Sequence, residues 1–362
     1  MPDILTLPEI KHRHLKKLVN NPEATAKAVQ LVYVSCNDQG IQRIRKGKSF
    51  TYKIANKTVK EKATLERIKG LVIPPAWEEV WICTLSNGHL QATGKDLMKR
   101  KQYRYHPSWN DLRNKTKFYR MLELGKVLPG IRKRVQKDLS LPGLPKNKVL
   151  AAVISLMEKT GIRIGNEFYE KLYGSFGLTT LKDKHVDIKS GVVKFSFRGK
   201  KGVEHQVSLA SKKLSAIVSK CRDIPGKELF QYIDKDGKRQ SIESGMVNEY
   251  IKEIAEAEFT AKDLRTWCGS VTALNAIKEM GLCEDAKQIK KNVIEVMDKV
   301  SVQLGNTRTV CKKYYIHPCL IELYESGKIE KWLNKMTGKN KISEDGLLDE
   351  EKVFMDILGT LS

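Results

Sequence analysis

The chain has 362 residues, 41% of them apolar and 30% charged, and its 66 Lys and Arg against 42 Asp and Glu leave a net charge of +24. That length predicts two domains with real cores, and that charge points to a polyanionic partner. No run approaches the roughly 18 apolar residues of a membrane span, Met1-Pro2-Asp3 does not open a secretory signal, and seven cysteines without a Cys-x-x-Cys pair suit reduced cytosolic thiols rather than a disulfide frame or a zinc site.

Short apolar runs between turn signals predict strands at Gln30–Val34, Ser49–Ile54, Glu79–Cys83 and His89–Ala92, with Ser86-Asn87-Gly88 turning between the last two and a helix over Glu61–Lys69. Residues 1–107 therefore read as a small β-rich domain. The basic stretch after Tyr105 is its hinge, with His106-Pro107 as a breaker. Residues 108–362 read as mainly helical. Lys146–Lys159 carries apolar residues at helical spacing and stops at Gly161. Three strands follow at Lys184–Lys189, Val192–Arg198 and Val203–Leu209, joined by Ser190-Gly191 and Gly199-Lys200-Lys201-Gly202. Thr260-x-x-Asp263 opens a capped helix that ends near Gly281, and another helix runs from Glu284 to Leu304 before Gly305. The fold class is α+β: a β-rich N-terminal domain, then a mainly α-helical domain with one inserted three-stranded antiparallel sheet. From Glu344 onward six acids stand against one Lys, an acidic amphipathic end that either packs as a helix or shields the basic surface.

The charge is uneven. Lys95–Lys137 holds 14 basic residues and 3 acidic ones, interleaved with Tyr103, Tyr105, Trp109, Phe118 and Tyr119. Lys and Arg neutralise phosphates while aromatic rings stack on sugars or bases, so nucleic acid is the favoured partner over a merely solvated basic face. Gly47-Lys48-Ser49 resembles the end of a phosphate-binding loop, but Gln42 stands where its first glycine belongs. His12-x-His14 has no ligand partners at metal-binding spacing and reads as solvated. The expected enzyme uses neither a metal nor another cofactor.

Cutting a phosphodiester without a metal takes a nucleophile, fixed donors on the non-bridging oxygens and an acid for the leaving oxygen. Four segments supply candidates: Gly161-Ile162-Arg163-Ile164-Gly165-Asn166-Glu167, the Arg198–Gly202 turn, Lys262-Asp263-Leu264-Arg265-Thr266-Trp267, and Leu304-Gly305-Asn306-Thr307 with Lys312-Lys313-Tyr314-Tyr315-Ile316-His317-Pro318. Taken singly, each has a plainer reading as a surface charge, a helix end or a packing aromatic.

Taken in order, from about residue 70 to 320, these segments resemble the type IB DNA topoisomerases of the small poxvirus-like and bacterial form. The resemblance implies that Arg163 and Arg265 are the two catalytic arginines, Lys200 the general acid, and Asn306 a further phosphate donor. Tyr315, nine residues after Asn306, is implied as the nucleophile, with its neighbour Tyr314 the less favoured choice. Many family members carry His where Asn306 stands; Asn offers only a neutral donor, so a weaker contribution is expected there. DNA contacts are implied for Lys262, Tyr169, Arg100, Gln102, Tyr103 and Tyr105. The implied protein is a metal-free, ATP-independent enzyme that clamps duplex DNA between its two domains and relaxes supercoils through a 3′-phosphotyrosyl intermediate. It would work as a monomer in the cytoplasm, on the nucleoid. Two rivals are a tyrosine recombinase, which usually has His where this chain has Lys262, and a non-catalytic basic DNA-binding protein.

Overall fold

The computed structural model describes residues 21–47, 49–97, 99–336 and 346–361. His12-x-His14, Lys48 and the first two acids of the C-terminal end, Glu344 and Asp345, lie outside them. The described residues form two compact units, the first ending at Tyr119 and the second running from Arg120 to Leu361.

The first unit is built on a six-stranded sheet of β1 (Ile41–Lys46), β2 (Ser49–Ile54), β3 (Lys57–Thr58), β4 (Glu78–Ile82), β5 (Leu90–Lys95) and β6 (Lys101–Tyr105). Its order is β3-β2-β1-β4-β5-β6, every pair antiparallel. Helix α1 (Pro22–Ala28) and helix α2 (Lys62–Gly70) accompany it, and α2 lays Ile68 against Ile41, Val80, Ile82 and Ala92. Strands β2, β4 and β5 fall where the apolar alternation puts them. Gln30–Val34 does not form a strand: it makes one bridge, Val32 to Gly88. The next donor along that run, Val34 N, bonds to the His89 imidazole Nδ1 at 3.1 Å instead of a neighbouring carbonyl, and that ends the ladder. Strand β1 is hidden by its charges. Its Arg43 reaches across to the carbonyls of Ile73, Pro74 and Trp77 at 3.3, 3.0 and 2.6 Å, tying down the loop before β4.

Helix α3 (Pro107–Asp138) starts on Pro107, whose fixed φ and missing N–H suit a first turn. In the second unit α4 (Lys146–Thr160) is apolar nearly all round, with Val149 through Met157 buried, so it serves as the central helix. The inserted sheet is β7 (Val186–Lys189), β8 (Val192–Arg198) and β9 (Glu204–Ala210), in that order. A second, two-stranded sheet, Gln231–Ile233 with Arg239–Ser241, was not expected. Three-residue strands are too short to show a period, and what shapes this hairpin is the Asp234 carboxylate, which accepts from Lys238 N at 2.8 Å and Asp236 N at 3.0 Å.

The acidic end packs as a helix. Asp349–Thr360 buries Val353, Phe354, Ile357 and Leu358, and the Phe354 ring lies 5.2 Å from that of Trp267. Glu351, also buried, accepts from Arg132 at 2.7 and 2.8 Å and from the Trp267 indole at 2.8 Å, and Glu158 binds the same guanidinium. Burial works against the Arg132 charge, but Glu351 and Glu158 outweigh it and raise its pKa. Removing one member of a buried pair strands the other. Glu351→Ala should therefore cost about 3 kcal/mol, read as a lower denaturant midpoint at unchanged slope. A loss below about 0.5 kcal/mol would mean the pair behaves as a solvated one.

Candidate active site

A cleft of about 1060 Å³ opens in the second unit, and Arg163, Tyr169, Lys200, Lys262, Arg265, Tyr314 and Tyr315 are among the residues lining it. Each arrives on a different local device. Gly161 stops α4 in the left-handed region, at φ 68°, and frees the chain to carry Arg163 as an extended segment. Arg163 O and Ile164 O accept from Leu178 N and Thr179 N at 2.9 and 2.6 Å, which fixes that segment. The chain then enters α5 (Glu167–Tyr173), whose N-cap Asn166 accepts from Phe168 N. This helix contributes Tyr169 to the wall.

Lys200 stands in the β8–β9 turn, where Gly199 N donates to Val203 O at 2.7 Å and Gly202 N to Gly199 O at 3.1 Å. Its ammonium lies 5.8 Å from the Tyr169 ring centre. Helix α8 (Ala261–Met280) opens at Thr260, whose N–H and hydroxyl both donate to Asp263 at 2.9 and 2.7 Å, as the capping pattern predicts. Its first turns bring Lys262 and Arg265 to the cleft. Between β9 and α8 the chain forms helices α6 (Lys212–Arg222) and α7 (Ser244–Ala255).

Arg265 is 4% exposed and donates to the carbonyl of Leu304 at 2.9 Å, at the end of helix α9 (Ala286–Leu304). Gly305 follows at φ 57°, and Arg163 donates through Nη1 to Gly305 O at 3.1 Å and through Nη2 to the Asn306 side-chain oxygen. That contact orients the Asn306 carboxamide, leaving its NH₂ as the group without a partner. Asn306 Nδ2 and the Nε and Nη1 atoms of Arg265 are buried and unpaired. A buried donor without an acceptor costs about 1–3 kcal/mol, so the cleft holds a surplus of donors that an anion would relieve.

Burial and, after it, the positive Arg265 lower the pKa of Arg163 to about 10, with Tyr315 opposing both. Burial likewise lowers that of Arg265, again opposed by Tyr315. Tyr315 caps α10 (Arg308–Tyr314), with its ring centre 5.5 Å from the Arg265 guanidinium. Tyr314 instead has the Lys313 ammonium over its ring, at 5.7 Å. The buried Ser270 hydroxyl donates to Tyr315 O at 3.2 Å and accepts from His317 N at 3.0 Å, holding the backbone around the tyrosine.

Of the eleven residues expected to act, Arg163, Lys200, Arg265, Tyr315, Lys262 and Tyr169 share this cleft, and Asn306 joins it through Arg163. The other four belong to the first unit, on β6 or just before it. There Asp96 accepts from Arg100 Nε at 2.7 Å and from Gln102 Nε2 at 2.9 Å, while Tyr103 and Tyr105 stack at 5.8 Å. Strand β6 is a sheet edge, so these side chains sit on a rigid rim. Ser270 and His205 were missed. The period of two along β9 puts His205 on the face of Phe197, a signal carried by strand alternation and by no charged motif. Among the described residues no group of three His, Cys, Asp or Glu is placed to hold a metal ion, and no helix is long and apolar enough to cross a membrane.

Residues 106–341 match the family of the eukaryotic DNA topoisomerase I catalytic core, and residues 49–96 match the bacterial DNA topoisomerase IB N-terminal domain. The chain is 33% identical over 297 residues to a DNA topoisomerase 1B of Acanthamoeba polyphaga mimivirus, covering 80% of this chain and 88% of that protein. It is 24% identical over 263 residues to DNA topoisomerase 1B of vaccinia virus, covering 72% and 80%. To a DNA topoisomerase 1 of Daucus carota it is 26% identical over 208 residues, 55% of this chain and 25% of that one.

Proposed function

The chain belongs to the type IB DNA topoisomerase family and relaxes supercoiled duplex DNA, and we propose that Tyr315 is the nucleophile by which it does so. The observation that carries this assignment is the meeting of Tyr315 with Arg163 and Arg265 in one cleft whose buried N–H groups exceed their acceptors. Tyr315 gives up its phenolic proton to water as its Oη attacks a backbone phosphorus in line; the bond from Oη to phosphorus forms as the bond to the 5′-oxygen breaks. Arg163, Arg265 and, as a neutral donor, Asn306 hold the non-bridging oxygens while charge builds on them. Lys200, at the mouth of the cleft, gives its proton to the departing 5′-oxygen. The nicked strand rotates and the 5′-hydroxyl reverses the step. One phosphoester is exchanged for another, so no ATP is consumed.

Lys262 and Tyr169 contact the DNA beside the cleavage point, and Arg100, Gln102, Tyr103 and Tyr105 contact it from the rim of the N-terminal sheet. Residues 1–107 are read as the DNA-clamping domain and 108–362 as the catalytic domain with its acidic end. The working unit is taken as a monomer, and its place as the cytoplasm, on the nucleoid, both by resemblance to the compact bacterial form.

The test is relaxation of a supercoiled plasmid in EDTA without ATP, run with wild type and Tyr315→Phe. Relaxation by the first alone supports the assignment, whereas relaxation by both moves the nucleophile to Tyr314. For the acid, Lys200→Ala should slow cleavage of an ordinary duplex by about 10²–10⁴-fold. A substrate with a 5′-bridging sulfur, whose thiolate leaves without a proton, should restore most of that rate. No recovery would take Lys200 out of the role.

A further inference from the structure

Between the turn that carries Lys200 and the helix end that carries Asn306 lies one imidazole. His205 is the first inward-facing residue of β9 after the turn and pairs across the ladder with Phe197. The two rings are 4.8 Å apart and parallel to within 1°, and both residues are buried. Two glycines make room for the imidazole. A Cβ on Gly199 would stand 2.6 Å from its Cδ2 and Nε2, and a Cβ on Gly305 would stand 2.1 Å from its Cε1. Gly199 directly precedes Lys200, while the carbonyl of Gly305 anchors Arg163. One flat side chain thus fills the gap between the proton donor's backbone and the backbone that holds the phosphate-binding groups.

We propose that His205 is a positioning residue for the leaving-group step, the spacer that seats the Gly199-Lys200 turn against the Gly305-Asn306 wall so that Lys200 meets the 5′-oxygen. The inference rests on Lys200 being the general acid. The wall is the fixed side: Arg163 and Arg265 bind the carbonyls of Gly305 and Leu304. The turn is the side that needs a seat, since it projects from a two-strand ladder and its Lys200 is exposed. Burial, then Arg163 and Arg265, keep the His205 pKa below its ordinary value, so the ring is uncharged near neutral pH and adds no repulsion to the two guanidiniums. Misplacing a catalytic group by about 1 Å can cost about 10²-fold, which sets the size of the effect.

The test measures single-turnover cleavage of an ordinary duplex and of its 5′-bridging-sulfur analogue by wild type, Lys200→Ala, His205→Ala and the double variant, with duplex affinity measured alongside. His205→Ala should cleave the ordinary duplex about 10- to 100-fold more slowly. It should come within about threefold of wild type on the sulfur substrate, which needs no acid. The double variant should be no slower than Lys200→Ala alone, because a misplaced acid and an absent one are the same defect. Equal slowing on both substrates, additive losses, or no slowing on the ordinary duplex would each overturn the inference. If His205→Ala loses duplex binding through misfolding, His205→Gln, of similar volume but without the rigid ring, is scored by the same criteria. Recovery of Lys200→Ala but not of the His205 variant defeats the positioning role and leaves the acid standing. No recovery of Lys200→Ala defeats the acid and the inference with it.

Discussion

Tyr315→Phe should abolish plasmid relaxation and the covalent protein–DNA adduct while leaving duplex affinity within about twofold. Removing a nucleophile that acts in concert with its neighbours costs at least about 10⁴-fold in rate. Binding is carried by other groups, chiefly cations along the cleft and the sheet rim. The substitution removes one oxygen and keeps the ring, so the packing of Tyr315 against Arg265 persists. The backbone bond from Ser270 to Tyr315 O is untouched. Tyr314→Phe is the matched control and should retain relaxation within about threefold, because Tyr314 faces Lys313 rather than the two arginines that respond to Tyr315. If Tyr315→Phe forms an adduct and Tyr314→Phe does not, the two exchange roles. If Tyr315→Phe loses duplex binding as well, the residue is structural.

Much of this was legible in the chain itself, for a physical reason: the site's parts are attached to strong local signals. Gly161 and Gly305 end helices, Thr260 and Asp263 start one, and the Lys200 turn sits between two runs of clean alternation, so each motif's place on its element could be read without knowing the fold. Local signals cannot report contacts across long separations. That Arg163 orients the Asn306 carboxamide is a bond between residues 143 positions apart, and it decides which face of the amide is free. His205 carries no motif; its meaning comes from two glycines, one of them in a distant helix end. The N-terminal errors have different causes. Gln30–Val34 has a strand's composition but loses its next partner to an imidazole, and β1 lacks that composition yet is held by an arginine crossing to three carbonyls. At Gln30–Val34 a side chain took over hydrogen bonding that propensity assigns to the backbone, whereas β1 keeps its backbone ladders to β2 and β4 and was hidden only by its charged composition. The acidic end was ambiguous because its function as a strut depends on Arg132, more than 200 residues away.

Arg265→Met should lower the cleavage rate by about 10³–10⁵-fold and, at the same time, make the folded protein more stable. The first half follows from what an arginine does for a phosphoryl group whose charge grows in the transition state. Arg265 Nη2 bonds the carbonyl of Leu304 and the guanidinium also interacts with Tyr315, but no carboxylate among the described residues neutralises it, and its buried Nε and Nη1 have no acceptor in hydrogen-bond geometry. The second half follows from the cost of that arrangement. A guanidinium 4% exposed, with no carboxylate to neutralise it and with Arg163 close enough to be lowered by its charge, is a destabilising element of the unoccupied fold. Methionine fills similar space without charge, and such replacements of buried ions gain about 1–4 kcal/mol. Arg265→Lys should not restore activity, because an ammonium cannot bond Leu304 O and still present two N–H groups in one plane. The two halves are measured separately, by single-turnover cleavage and by the denaturant midpoint. A slow but destabilised Arg265→Met would mean that the Leu304 bond matters more to the fold than the buried charge costs it. A stabilised variant that still cleaved within tenfold of wild type would remove Arg265 from the transition state altogether. Loss of rate with gain in stability is the outcome that identifies a charge kept in the fold for its effect on the phosphate alone.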